Sequence, residues 1–154
     1  MKRQLFGLLC LTARAMLTAT FILSALRHLT NWSAALDEMS GDGMPRLSIL
    51  LLGSIAFRLI GGLSVLAGIR ARIGATLLVL FILPAAFLAH DFWAMPVERQ
   101  THEMIEFLNN LAIAGGVLFV ALNGAGLWSI DAIGNTALLR NNIPPASGKL
   151  SEIL

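Results

Sequence analysis

At 154 residues the chain is long enough for one domain, and it is 56% hydrophobic but only 13% charged, against about 45–50% and about 25% in soluble domains. That much apolar surface excludes a soluble globule of this size, and a net charge of +2 excludes a nucleic-acid-binding surface built on basic excess. The single cysteine, Cys10, excludes an internal disulfide or a C-x-x-C thiol exchanger.

Four apolar runs approach the roughly 20 helical residues needed to cross about 30 Å of hydrocarbon. They lie near residues 5–26, 47–69, 73–92 and 104–127. Backbone polar groups in lipid must be satisfied within each segment, so the runs are predicted to be helices. The expected fold is all-α: a transmembrane up-down four-helix bundle over residues 1–131, followed by a polar tail over 132–154.

The first run follows Lys2 and Arg3 but is interrupted by Arg14 and lacks a small-residue cleavage site, so it reads as a retained helix rather than a signal peptide. Cys10 reads there as a small apolar residue. The connection "TNWSAALDEMSGDGMP" reads as a loop, with turn residues Gly41, Asp42, Gly43 and Pro45. In the second run Arg58 precedes Gly61 and Gly62. Arg70 and Arg72 fill the short turn before the third run. Pro84 interrupts that run and predicts a kink, which either opens a cavity or accommodates a neighbour. In the fourth run Gly115 and Gly116 echo the earlier pair, and all four glycines suit close helix approach in lipid.

Charge sets the expected orientation. Lys2, Arg3, Arg70, Arg72, Arg140 and Lys149 fall on one side, which the positive-inside rule assigns to the cytoplasm together with both termini. Trp32 and Trp93 then mark the outer interface and Trp128 the inner one.

Arg14 and Arg58 both fall near the midplane, where an arginine costs about 2.5–3.5 kcal/mol on insertion scales and usually faces the bundle interior. Glu106 is an acid in the chain that could answer one of them, but it lies about 13 Å above the centre of its helix. Arg58 could close part of that gap along its stem. Asn109, Asn110, Ser54 and Thr18 could add hydrogen bonds. Three readings stay open: a structural polar cluster, a ligand site in which a carboxylate, phosphate or quinone carbonyl supplies what the helices lack, or snorkelling without a partner.

The histidines His28, His90 and His102 all fall on the outer rim, beside Asp91, Glu103 and Glu106. "HEMIE" lacks the second histidine of a zincin, and no metal is expected, with His28, His90 and His102 the only rim candidates for one. His90 is the better candidate for proton exchange with a ligand near the outer leaflet.

With these residues laid out, the chain resembles the DoxX family of small bacterial membrane proteins over about residues 10–131. The likeness begins at Arg14 in "TARAMLTATFILSAL". It continues through "GGLSVLAGIRAR" and "FLAHDFW", and is most specific in "FLNNLAIAGGVLFVALNGAGLWSID", which includes Asn110, Gly115, Gly116, Gly124, Gly126, Ser129 and Asp131. The chain departs from the family pattern in two places. Arg58 stands where many members carry glutamate, and Asn109 where many carry lysine.

The resemblance implies a multi-pass protein of the bacterial inner membrane, associated with a membrane redox assembly through a membrane or peripheral oxidoreductase partner. The expected role is a non-catalytic or ligand-binding subunit holding a quinone or lipid beside Arg14, Arg58, His90, Glu106, Asn109 and Asn110. No haem ligand pair, flavin motif or catalytic motif points to self-sufficient enzyme chemistry. The alternatives are a membrane scaffold or assembly factor without ligand, and a small-solute or lipid carrier. Membrane lipid is an expected partner, self-association is compatible with the glycine faces, and nucleic acid is not expected.

Overall fold

The computed structural model describes residues 1–40 and 47–134, which form helices and turns without strands. Five α-helices follow in order: α1 (Lys2–Thr30), α2 (Trp32–Ser40), α3 (Leu47–Ala67), α4 (Ala71–Ala89) and α5 (Val97–Asn123), with a 3-10 turn at Phe92–Ala94. α1, α3, α4 and α5 are long and apolar enough to cross a membrane. They run alternately up and down, with the α3–α4 turn at one end of the bundle (the turn end) and α2 and the 3-10 turn at the other (the loop end).

Most boundaries shift by a few residues from the sequence reading, and the larger differences have local reasons. α1 runs past residue 26 to Thr30, and Asn31 hands the chain directly to α2: its N–H donates to the Arg27 carbonyl at 2.9 Å, while its own carbonyl accepts from Ala35 at 3.0 Å. α2 replaces part of the expected loop because Trp32, Ala35 and Leu36 share one face at i, i+3 and i+4. That face packs on Ala25, Leu51 and Ile55. The turn residues Gly41, Asp42, Gly43 and Pro45 lie outside the described residues. α5 begins at Val97 rather than 104, where Pro96 ends the extended chain and Glu98 complements the helix N-terminus. It stops at Asn123 because Gly124 has φ 84°.

The main core joins Phe21 of α1, Val65 of α3, Ala75, Leu78 and Ile82 of α4, and Ala114, Val117 and Val120 of α5. α3 packs on α1 and α4, and α4 packs on α5. α1 meets α5 at fewer positions, one being Leu17 over Gly116. Pro84 is exposed on α4, and the helix continues through it.

Three of the four paired glycines are packing sites. A Cβ on Gly61 would lie 2.7 Å from the fully buried Leu78 side chain, one on Gly62 3.0 Å from Ile22, and one on Gly116 2.7 Å from Leu17. Gly115 is the correction, since nothing lies within 4 Å of its Cβ position and it faces away from the bundle. The two glycine pairs are therefore not equivalent. Overfilling a packed core costs about 1–3 kcal/mol, whereas removing a glycine from an open helix position gains roughly 0.5–1 kcal/mol. Gly61→Ala is expected to lower stability by about 1–3 kcal/mol and Gly115→Ala to leave it unchanged or raise it by up to ~1 kcal/mol, measured as denaturant unfolding of the detergent-solubilised protein.

Candidate functional site

The two central arginines leave the middle of the bundle in opposite directions. A helical side chain leans toward its helix N-terminus. α1 starts at the turn end, so Arg14 reaches that way. Its Nη2 donates to the Trp128 carbonyl at 2.6 Å and its Nη1 to the Val65 carbonyl at 3.5 Å. The side chain is buried, at 2% exposure, and its Nε has no hydrogen-bond partner among the described residues. α3 starts at the loop end, so Arg58 leans the other way. Its Nη1 donates to Ser24 Oγ at 2.9 Å and meets His28 Nδ1 at 3.3 Å, and the guanidinium lies 4.8 Å from the centre of the Phe81 ring. A guanidinium has no acceptor, so His28 Nδ1 accepts and the neutral ring carries its proton on Nε2.

Around Arg14 the turn end forms a latch. Gly68, at φ 68°, closes α3 in a Schellman motif: its N–H donates to Val65 at 3.2 Å, and that of Ile69 donates to the Ser64 carbonyl at 3.0 Å. A side chain on Gly68 would strike Ser129 and Arg14. The first N–H groups of α4 have no cap from Arg70, and Asp131 supplies it instead. Its Oδ1 accepts from Arg70 N–H at 2.8 Å and its Oδ2 from Ala71 N–H at 3.0 Å. A carboxylate at a helix N-terminus and a cation at a helix C-terminus are each favoured by the helix dipole. Asp131 N–H also donates to the Gly68 carbonyl at 2.8 Å, and Ser129 Oγ bonds to Gly126 at 2.7 Å. Trp128 covers Gly7, where a Cβ would come within 2.6 Å of the indole, and Cys10 faces Gly126 in the same way at 3.0 Å.

At the loop end the inward stripe of α5 turns polar. Ala114, Val117 and Val120 line the core; one and two turns outward the same face carries half-buried Asn110 and Glu106, then buried Glu103. Glu103 binds two donors: His90 Nδ1 at 3.0 Å and Arg99 Nη2 at 3.3 Å. Asn110 Nδ2 donates to the Glu106 carbonyl at 3.0 Å. Asn109 is exposed, one position off the stripe. Phe87, Phe92, Trp93 and Phe107 form an aromatic cluster at this rim, with Phe87 and Phe107 edge to face at 5.0 Å.

The residues singled out from sequence thus separate into two places. Arg14 belongs to the turn end, while Arg58, His90, Glu106 and Asn110 belong to the loop end. Thr18 and Ser54 bond to carbonyls of their own helices, at 2.8 Å to Arg14 and 2.9 Å to Leu51. Among the described residues no group of three or more His, Cys, Asp or Glu side chains is arranged to hold a metal. Sequence reasoning set Glu103 on the outer rim without pairing it with His90, and passed over Ser24. Glu103 was legible in the α5 spacing once that helix is begun at Pro96, since it falls seven residues before Asn110 on the same face. The cap from Asp131 had no such signal, because it depends on how the chain folds back beyond Gly124.

A family model described as DoxX matches residues 9–91, from α1 to just past α4. The chain is 32% identical over 125 residues to the inner membrane protein YqjF of Escherichia coli strain K12, covering 81% of the chain and 91% of that relative. It is 25% identical over 123 residues to the inner membrane protein YphA of the same organism, covering 80% and 88%. It is also 30% identical over 96 residues to the surfeit locus protein 4 homolog of Schizosaccharomyces pombe, covering 61% of the chain but only 30% of that longer protein. No solved structure matches it.

The latch can be tested at its acid. Asp131→Ala removes the acceptor from two helix N-terminal N–H groups, a change worth about 1–2 kcal/mol. Trp128 stands three residues away, so tryptophan fluorescence during urea unfolding should report an earlier transition in the variant.

Proposed function

The chain belongs to the DoxX family, and on that premise we propose that it is an integral inner-membrane protein whose loop-end half binds the polar head of an amphipathic ligand. The ligand class is a quinone or a lipid whose head presents hydrogen-bond acceptors, and the role is that of a binding subunit in a membrane redox assembly. Two relatives that match most of this chain carry the words inner membrane protein in their names, which supports the location. The excess of arginine and lysine at the turn end supports a cytoplasmic placement of that end and of both termini.

One observation carries the ligand reading. The inward stripe of α5 changes from buried apolar residues to half-buried Asn110 and Glu106 toward the loop end. Half-buried Ser24, His28 and Arg58 meet between α1 and α3, below the apolar contact of Ala25 with Leu51 and Ile55, and all five polar groups remain partly accessible. Inward-facing polar groups in a bundle with residual access are where a polar head can be received. Arg58 supplies N–H donors there, and His90, oriented by Glu103, stands at the rim where a proton can be exchanged with a ligand head. Asn109 sits beside this stripe at the surface.

A scaffold role without ligand is favoured by one specific observation, the complete burial of Arg14 against backbone carbonyls. That assigns Arg14 a structural part and leaves the loop end to the ligand.

Gentle detergent extraction followed by mass spectrometry of retained quinones and lipids tests the ligand reading. The wild type is expected to retain a stoichiometric amphipathic molecule. Arg58→Gln is expected to lower that occupancy about five-fold or more, the loss of one charge-assisted hydrogen bond. Wild-type protein that emerges without any retained small molecule would overturn it. Orientation is tested by reporter fusions after residue 154: a fluorescent protein should fold and a periplasm-dependent phosphatase should stay inactive.

A further inference from the structure

At the turn end two hollows share two residues of their walls. The first is a crevice of about 490 Å³ along the lipid-facing side of α3 and α4, lined by apolar side chains including Ile60, Leu63, Ile69 and Leu77. It exists because α3 and α4 approach closely there through Ser64 and Gly74, which touch, leaving the larger flanking residues to form its walls. The second is a polar hollow of about 500 Å³ beneath the α3–α4 turn, lined by Arg72, Asn123, Gly124 and Asp131 among others. Arg70 and Ile73 line both. Each volume is in the range of a small-molecule site. One hollow is apolar and open to acyl chains; the other carries two guanidinium groups at the level of the headgroups.

Arg70 itself points to a role beyond orientation. Its backbone sits at φ 46°, ψ 41°, in the left-handed region that favours glycine or asparagine. An arginine there is a local strain, and its N–H needs the Asp131 carboxylate. Gly124, at φ 84°, offers no side chain beside Arg72: a Cβ there would lie 3.5 Å from Arg72 Nε. The Arg72 Nε thus passes beside Gly124 while the side chain stays exposed. Among the described residues, Asp131 is the one negative group lining the polar hollow. Both its oxygens accept from N–H groups of the α4 N-terminus, and its charge sets an incoming anion on the Arg72 side.

We propose that Arg70 and Arg72 bind the phosphodiester of an anionic phospholipid whose acyl chain lies in the α3–α4 crevice. The guanidinium fork matches phosphate oxygens, and basic pockets between helices at the membrane surface recognise anionic headgroups. The apolar crevice continues from the same arginine toward the membrane interior, so head and chain are held together, which a free phosphate would not use. The site lies at the opposite end of the bundle from the loop-end polar residues and stands independently of the ligand proposed there.

Delipidated protein in detergent can be titrated with phosphatidylglycerol, phosphatidylcholine or inorganic phosphate and followed by native mass spectrometry. The wild type is expected to bind phosphatidylglycerol at least five-fold more tightly than phosphatidylcholine. Arg70→Gly and Arg72→Gln should each lower phosphatidylglycerol affinity about five-fold, the contribution of one surface arginine to anionic lipid binding, and leave phosphatidylcholine affinity unchanged. Arg70→Gly suits the left-handed backbone and should fold as the wild type does, checked by its unfolding midpoint. Ile73→Trp, which fills the crevice, should weaken both lipids. Equal wild-type affinity for the two lipids, unchanged phosphatidylglycerol affinity in both arginine variants, or displacement of phosphatidylglycerol by an equal concentration of inorganic phosphate would each overturn the proposal.

Discussion

A guanidinium that starts near the middle of a membrane helix must find polar company, and the direction of its helix decides where it looks. Side chains lean toward the helix N-terminus, so antiparallel neighbours send their long cations to opposite ends. Arg14 on α1 and Arg58 on α3 obey that rule and never share a site. Much of the rest follows. Arg14 draws Trp128 and the segment after α5 beneath the bundle. Arg58 gathers α1 and the Phe81 ring of α4 at the loop end. The mutual repulsion expected of two central cations is avoided by separation rather than by an acid placed between them.

The turn end shows how a bundle can satisfy helix ends without local caps. The last carbonyls of α3 and the first N–H groups of α4 are the orphan groups of any short helical hairpin. Here Gly68 closes part of the first set through its own left-handed turn, Arg14 adds a second donor to the Val65 carbonyl that Gly68 already meets, and Asp131 answers the second set. Three of these interactions come from parts of the chain remote from the hairpin. The hairpin, α1 and the residues beyond α5 are thereby tied into one unit in a solvent where packing, rather than hydrophobicity, holds helices together.

The spans, their antiparallel order and the packing role of Gly61, Gly62 and Gly116 were legible in the sequence, because long apolar runs and small residues at helical spacing carry direct physical meaning. α2 was not. Its apolar face spans a single turn, Trp32 to Leu36, and gains its helix only by docking on Leu51 and Ile55. Gly115 misled because adjacent glycines point about 100° apart on a helix, so only one of a pair can face a given neighbour. Both arginines stood out, but their partners did not. An inventory of acidic side chains omits backbone carbonyls, which are what Arg14 uses. It gives the height of Glu106 along α5 without the lean that carries Arg58 toward Ser24. The loop-end pairing of His90 with Glu103 needed the true start of α5 before the two could be set at one level.

The position of Asp131 in the chain has a temporal meaning. It lies 61 residues after the Arg70 N–H that it caps. At about 5–20 residues synthesised per second, the α3–α4 turn waits roughly 3–12 s for its acid. During that interval Arg14 lacks the Trp128 carbonyl and α4 begins with open N–H groups, while α1, α3 and α4 already have most of one another's surfaces to pack on. Arrival of the segment after Gly124 closes both deficits at once. Closure of the turn end therefore waits on the segment after α5, and a chain cut short before residue 128 would hold Arg14 with one carbonyl missing.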